Sequence, residues 1–405
     1  MSTAAGLSVR LVLVLPGGTP LGVTAPFTLS PDADAGSDQD GDWREAPAVI
    51  TAARGALGIT PTLLRLARVT PRDGGRPEEV VYVAEVPERP NLALYDGDAA
   101  LIADARLRMA WAKPGGPSRY LVWAQAALAA EGIAVTGEPE QTRTWNLSAL
   151  WRLPTDIGIV WLKAVPPFFA HEGAVLERLQ AFAVPRLLAR TDDAVLLADV
   201  PGDDRYGAAA DTARRMIDLL VGIQSSVDPS TLPPMPHWTP TSLTPAAERT
   251  LALADDVDAG DRASVAGLIA RLPRLHADLA ACGLPDTLVH GDFHPGNLRG
   301  DDDRLILLDW GDSGIGHPLL DHAAFMERMP AAAASRLTTH WASAWRTAVP
   351  GSDPERALEL LAPYGALRQA TLYRGFLDRI EASEQIYHAA DPTTWLRRTA
   401  ALERG

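Results

Sequence analysis

Alternating and continuous apolar runs predict strands at Val9–Leu15, Thr62–Val69 and Glu79–Val86, the last rich in Val with a central Tyr. Between the first two, Ala46–Leu57 is Ala-rich and stops at Gly58, which predicts a helix with a glycine terminator. Ser30–Asp42 is dense in Asp, Ser and Gly and is expected to be a mobile loop. The turn Pro114-Gly115-Gly116-Pro117 precedes a predicted helix over Ser118–Glu131.

The texture changes at Gln141. Gln141–Pro154, a turn at Thr155–Gly158 and Ile159–Val165 read as a hairpin, which Pro166-Pro167 then breaks. Phe168–Phe182 has helical spacing, and Arg186–Arg190 with Ala194–Asp199 form a second strand pair ending at Pro201-Gly202. The remainder is mostly helical apart from a strand-rich stretch at Thr287–Asp309. These shifts divide the 405 residues into an α/β accessory domain (1–132), a small β-rich lobe (133–200) and a larger helical lobe (201–405). The fold class expected is α+β.

Charge and composition narrow the chemistry. A net charge of −14 argues against a nucleic-acid binder and is compatible with a cationic small-molecule partner, although a solvated acidic surface accounts for it equally. No apolar run approaches the ~20 residues of a membrane span, and Leu11–Leu15 is too short for a secretory signal core. The lone cysteine, Cys282, excludes an intrachain disulfide and favours a reducing cytoplasm. Oligomeric state is not legible. Lys113 and Lys163 are the only lysines, so a lysine at any position is an unusual choice in this arginine-rich chain.

The most informative stretch is Leu288-Val289-His290-Gly291-Asp292-Phe293-His294-Pro295-Gly296-Asn297, followed by Leu305-Ile306-Leu307-Leu308-Asp309-Trp310. It sets an acid on a tight loop, an asparagine five positions later and a second acid after a buried strand. With Asp301–Asp303 as a polar turn, Leu298–Arg299 and Arg304–Leu308 can pair and bring Asn297 beside Asp309. Hard oxygen donors side by side suit magnesium bound to a polyphosphate. As zinc ligands, His290 and His294 would need one helix face with a Glu between them. Pro295 and Gly296 interrupt such a helix, and no Glu intervenes.

The run His290–Asn297 with Asp309 resembles the signature of aminoglycoside phosphotransferases and choline-kinase-type enzymes, small-molecule kinases with a two-lobed protein-kinase-like fold. The resemblance implies that Asp292 is the catalytic base and that Asn297 and Asp309 hold magnesium. It further implies that His290 is structural and that ATP (GTP is left open) lies between the lobes. Lys163, on a strand closing a hairpin, matches the lysine that contacts the α- and β-phosphates. Glu172 shares a helix face with Val175, Leu176 and Leu179 and is the expected partner of that lysine, whereas Glu177 lies about 140° round the helix. The turn Trp145-Asn146-Leu147-Ser148 replaces a glycine-rich loop, with backbone N–H groups and the Ser148 hydroxyl over the phosphates. Backbone groups of Ala198–Val200 would meet adenine. Asp312 and Asp321 stay outside the catalytic set, Asp321 as a helix cap or internal hydrogen-bond partner.

In the N-terminal part, the order of strands and helix resembles a Nudix hydrolase domain. Where such a domain carries metal-binding glutamates, ahead of Gly58-Ile59, this chain has Ala52, Gly55 and Ala56, which implies a catalytically silent accessory domain. The expected activity is ATP- and magnesium-dependent phosphoryl transfer to a small-molecule hydroxyl. The alternative is a non-catalytic nucleotide-binding pseudokinase, against which the set Lys163, Glu172, Asp292, Asn297 and Asp309 argues. A protein kinase is disfavoured because Asp309-Trp310-Gly311 replaces D-F-G.

Overall fold

The computed structural model describes residues 6–29, 43–71, 77–97, 99–301 and 304–404, so the loop expected at Ser30–Asp42 and most of the turn at Asp301–Asp303 lie outside the described residues. The chain forms two compact units. One comprises the chain up to Phe168 with Leu188–Asp199 and Arg379–Tyr387, and the other comprises Phe169–Leu187, Val200–Asp378 and His388 onward.

The first unit holds two sheets. In the N-terminal sheet, β1 (Leu7–Val14), β2 (Pro20–Val23), β3 (Phe27–Leu29), β4 (Thr62–Thr70) and β5 (Glu79–Glu85) run in the order β2-β1-β5-β4, with β3 also on β1. β1 and β5 are parallel neighbours, with Val9 opposite Val80 and Leu13 opposite Ala84. Strand alternation sorts their side chains: Val9, Leu11, Leu13, Val80, Tyr82 and Ala84 bury one face, and Val12, Val14, Val81 and Val83 the other. The first face is covered by α1 (Ala46–Leu57) through Ala46, Val49 and Ala53. α1 ends at Gly58 in the left-handed region (φ 68°), its N–H bonded to Arg54 O, a cap only glycine makes without steric cost.

α2 (Gly116–Ala130) starts two residues before the expected Ser118, because Pro117 occupies the first turn, where its missing N–H costs nothing. Its buried residues Tyr120, Ala124 and Leu128 cover the second sheet. That sheet contains β6 (Glu140–Thr144), β7 (Ala149–Thr155), β8 (Gly158–Ala164), β9 (Leu187–Arg190) and β10 (Ala194–Ala198) in the order β6-β7-β8-β10-β9. The stretch expected as one arm, Gln141–Pro154, is thus two strands around a turn at Trp145–Ser148, where Trp145 N–H bonds Ser148 O (3.0 Å). Val160, Leu162 and Ala164 pack on the helix side, which turns Ile159, Trp161 and Lys163 to the opposite face.

The second unit is dominated by helices: α3 (Glu172–Arg178), α4 (Ala210–Ser226), α5 (Pro240–Ala252), α6 (Ala259–Ala281), α7 (His322–Met326), α8 (Ala331–Ala348), α9 (Pro354–Leu377) and α10 (Asp391–Arg404). Short strands β11 (His237–Trp238), β12 (Thr287–Val289) and β15 (Gly314–Gly316) form one sheet, and β13 (Leu298–Gly300) pairs with β14 (Leu305–Leu307). α3 is shorter than the helix expected over Phe168–Phe182. Pro167–Phe169 is a 3-10 turn, and Gln180 Nε2 takes the carbonyls of Leu176 and Pro185 (3.0 Å each), closing the C-terminal end. Among the described residues no helix is long and apolar enough to cross a membrane.

Candidate active site

β12 delivers the chain, fully buried, to the loop His290–Asn297. Gly291 adopts φ 91°, and a Cβ there would sit 2.1 Å from Asp312 O, so conformation and space both demand glycine. The Asp321 carboxylate anchors the loop from below, accepting the N–H groups of His290 (2.9 Å) and Gly291 (2.7 Å) and the amide of Gln224 (3.0 Å). Burial nonetheless pushes the Asp321 carboxyl above its ordinary range. Phe293 pins the loop to the helical core, stacked on Phe325 (5.0 Å) and edge-on to Trp341 (5.8 Å).

The loop then closes on Asp292. Asn297 Nδ2 donates to the Asp292 carbonyl (2.9 Å) and to its Oδ2 (3.2 Å). His294 Nδ1 accepts the Gly296 N–H (3.0 Å), which leaves the ring proton on Nε2, 3.4 Å from Asp292 Oδ2. Tyr206 stacks on the His294 ring (5.9 Å). Burial opposes ionisation of Asp292, but the His294 hydrogen bond and the potentials of His294 and His290 outweigh it and hold the carboxyl below the usual range. The Asp292 side chain keeps 45% of its surface exposed.

The hairpin expected after the loop is present, with Leu298 opposite Leu307 and Arg299 opposite Ile306. Leu308 N–H bonds Asn297 O (2.8 Å), so the main chains bearing Asn297 and Asp309 lie side by side. Asp309 is the one non-glycine residue with positive φ (58°) among the described residues, a conformation that surrounding packing must maintain. Some of that packing is His290, whose Nδ1 accepts the Asp292 N–H (3.3 Å) while Nε2 donates to Leu308 O (2.8 Å) and the ring lies against Trp310 (4.7 Å). The buried His290 therefore ties the acid loop to the Asp309 strand. Beyond Asp309, the His171 ring lies near the backbone of Ser313 and Gly311, and burial lowers its pKa. This contact links the residue preceding α3 to the Asp309 segment.

Glu172, which opens α3, is 1% exposed with Val175 and Leu176 buried beside it, whereas Glu177 faces solvent. Lys163 lies in register with Leu150 and Val195 at the sheet's centre. Asp199 N–H extends the β8–β10 ladder by bonding Ile159 O (3.1 Å), and its carboxylate accepts the Trp161 indole (2.7 Å). Ala198 ends β10, paired with Val160, and Val200 opens the longest segment of the second unit. Ser148 is buried, and its hydroxyl accepts the Trp145 indole N–H (3.0 Å). Sequence reasoning missed Arg368 of α9, a buried guanidinium 3.4 Å from Gly291 O and 4.5 Å over the Trp238 ring. No spacing signal links a helical arginine to a loop 77 residues upstream.

A sheet-bearing lobe, a helical lobe and the loop Asp292–Asn297 paired with Asp309 define the protein-kinase-like fold in an α+β chain. Residues 155–360 match the model of the phosphotransferase enzyme family, and the chain belongs to that family of small-molecule kinases. Among solved structures it is similar to a putative aminoglycoside phosphotransferase from Ralstonia eutropha JMP134 (15% identity, 70% of this chain and 98% of that one, TM-score 0.51). It is also similar to a putative fructosamine-3-kinase from Thermobifida fusca YX-ER1 (18% identity, 69% and 98%, TM-score 0.50). Comparison with curated proteins finds no match.

Proposed function

We propose that this chain transfers the γ-phosphoryl group of ATP, with magnesium, to a hydroxyl of a small amine-bearing or otherwise cationic molecule. The observation that carries the reading is the closure of the loop: Asn297 bonds Asp292 by its amide and the Asp309 strand by its carbonyl. An acid, an amide and a second acid are thereby held within one short stretch, as phosphoryl transfer by positioning and charge neutralisation requires.

Both side-chain contacts to Asp292 fall on Oδ2, so the acceptor hydroxyl is assigned to Oδ1. A carboxylate held below its usual range is a weak base toward a free alcohol. Asp292 therefore orients the hydroxyl and takes its proton only as the new P–O bond forms. The donor set suits magnesium: an exposed Asp309 carboxylate and the amide oxygen of Asn297, whose nitrogen is committed to Asp292. When bound, the ion supplies charge neutralisation at the phosphate oxygens. Lys163 is assigned to the α- and β-phosphates, Glu172 to orienting that lysine, and the backbone at Ala198 and Val200 to adenine. Ser148 and the turn that carries it are assigned to the polyphosphate. The −14 net charge supports a cationic acceptor.

The test is transfer from γ-labelled ATP with magnesium across aminoglycosides, amino sugars, neutral sugars and amino alcohols. Label on an amine-bearing acceptor supports the whole reading, and label on a neutral sugar alone removes the preference for cations. ATP binding with no transfer to any compound favours a binding-only role.

A further inference from the structure

The Trp145–Ser148 turn is held in place by parts of the chain far from it in sequence. β4 is the edge of the N-terminal sheet and carries two bulges, between Leu63 and Arg65 and between Leu66 and Arg68. Its outward N–H and C=O groups need partners. Gln141 of β6 takes both groups of Leu63 (2.9 and 2.8 Å), and the Thr144 hydroxyl donates to Leu64 O (3.1 Å). The Leu66 N–H goes to Glu384 Oε1 (2.8 Å), in the segment Arg379–Tyr387 that follows α9.

Glu384 is 5% exposed, and it lines a small cavity together with Trp145 and Asn146 of the turn. One buried carboxyl therefore lies between the turn and the sheet edge, bonded to Leu66 on β4 and packed beside Trp145 and Asn146. The Asn146 side chain is 3% exposed and faces a small cavity also lined by Arg65, Trp111, Trp145, Glu381 and Glu384. Asn146 Nδ2 and Oδ1, Glu384 Oε2 and Arg65 Nε have no hydrogen-bond partner among the described residues. Aromatic contacts hold the same turn from the other side, with Trp145 edge-on to Tyr387 (6.0 Å) and Tyr387 stacked on Trp43 (5.8 Å).

We propose that Glu384 is a positioning residue for the polyphosphate-covering turn: bonded to Leu66 of β4 and packed beside Trp145 and Asn146, it seats the turn against β4, and the seated turn sets affinity for the phosphates of ATP. The N-terminal sheet would then act as a rigid mount for that turn. The inference rests on the kinase reading above, because it assigns the turn to the polyphosphate.

The test is calorimetric binding of magnesium–ATP and of adenosine to the full-length chain and to Glu384→Ala, Glu384→Gln and Asn146→Ala, each checked for folding by circular dichroism. Loss of the carboxyl and its bond to Leu66 in Glu384→Ala is expected to weaken ATP about tenfold and leave adenosine within about twofold. Glu384→Gln keeps an acceptor oxygen and is expected to recover ATP binding to within about threefold of the native chain. Unchanged ATP affinity in folded Glu384→Ala, or equal weakening of ATP and adenosine, overturns the proposal. If Glu384→Ala does not fold, Asn146→Ala decides, with ATP about threefold weaker and adenosine unchanged expected, and no selective loss overturning. A native chain that binds no ATP removes the kinase reading itself and this inference with it.

Discussion

In the stretch from His290 to Asp309, the bonds that close the loop on itself are local: Asn297 reaches Asp292 five residues back, and His290 reaches Leu308 eighteen residues on, with Asp321 and Arg368 supporting the loop from outside. The Trp145–Ser148 turn is assembled by distant parts, since the carboxyl beneath it joins Leu66 to Glu384 across 318 residues. The contrast separates two ways of placing functional groups. The first region stores its geometry in its own glycine, proline and hydrogen-bonding residues. The second borrows its geometry from a sheet edge whose unpaired groups had to be satisfied anyway. Damage to the first should strike chemistry directly, whereas damage to the second should act through binding and stability.

The sharpest way to break that contrast is at Asp309. Asn tolerates the left-handed backbone there (φ 58°) but removes the charge, so Asp309→Asn isolates the carboxylate's contribution. Turnover is expected to fall by roughly 10²–10³-fold with melting temperature nearly unchanged. A comparable loss of melting temperature would mean that the site is not self-contained.

A smaller effect is expected beneath the loop. Asp321→Ala strips the acceptor from two buried N–H groups and one buried amide and should cost about 2–4 kcal/mol in denaturant unfolding. A cost near zero would show that the loop holds itself without this support.

The smallest effect is a pH trend. Burial, with the neighbouring Glu381, raises the Glu384 carboxyl to about 8, against the opposing pull of Arg65 and of the Leu66 and Asn146 N–H groups. Between its ordinary value and about 8 the folded chain keeps a proton that the unfolded chain releases, so this group's contribution to stability falls as pH rises across that window. Melting temperatures of the native chain should decline relative to Glu384→Gln between pH 5 and pH 9 by roughly a few degrees. Parallel curves would show that Glu384 does not titrate there.

These two regions also explain what was legible in the sequence. The strands of the N-terminal sheet, the helix stopped by Gly58 and the hairpin that sets Asn297 beside Asp309 follow from periodicity and turn chemistry over a few residues. The burial of Glu172 and exposure of Glu177 follow from helical spacing alone. The shortened α3 was missed because Gln180 closes it with side-chain bonds that no propensity records. Arg368 and Glu384 were missed for a related reason: each is an ordinary helix-region charge until the fold buries it against backbone groups from a distant segment. The Trp145–Ser148 turn was legible as a turn, but only the fold shows that the Asn146 amide is buried beside Arg65 of β4 and Glu384.

The central claim is that Asp292 acts on the acceptor while other groups hold the nucleotide. Its most direct test measures, in native chain and Asp292→Ala, both steady-state transfer from labelled ATP and the dissociation constant of magnesium–ATP. The account predicts that transfer falls by about 10²–10⁴-fold while the ATP constant stays within a few-fold. Transfer within about twofold of the native rate would contradict it, and so would loss of transfer explained wholly by loss of ATP binding.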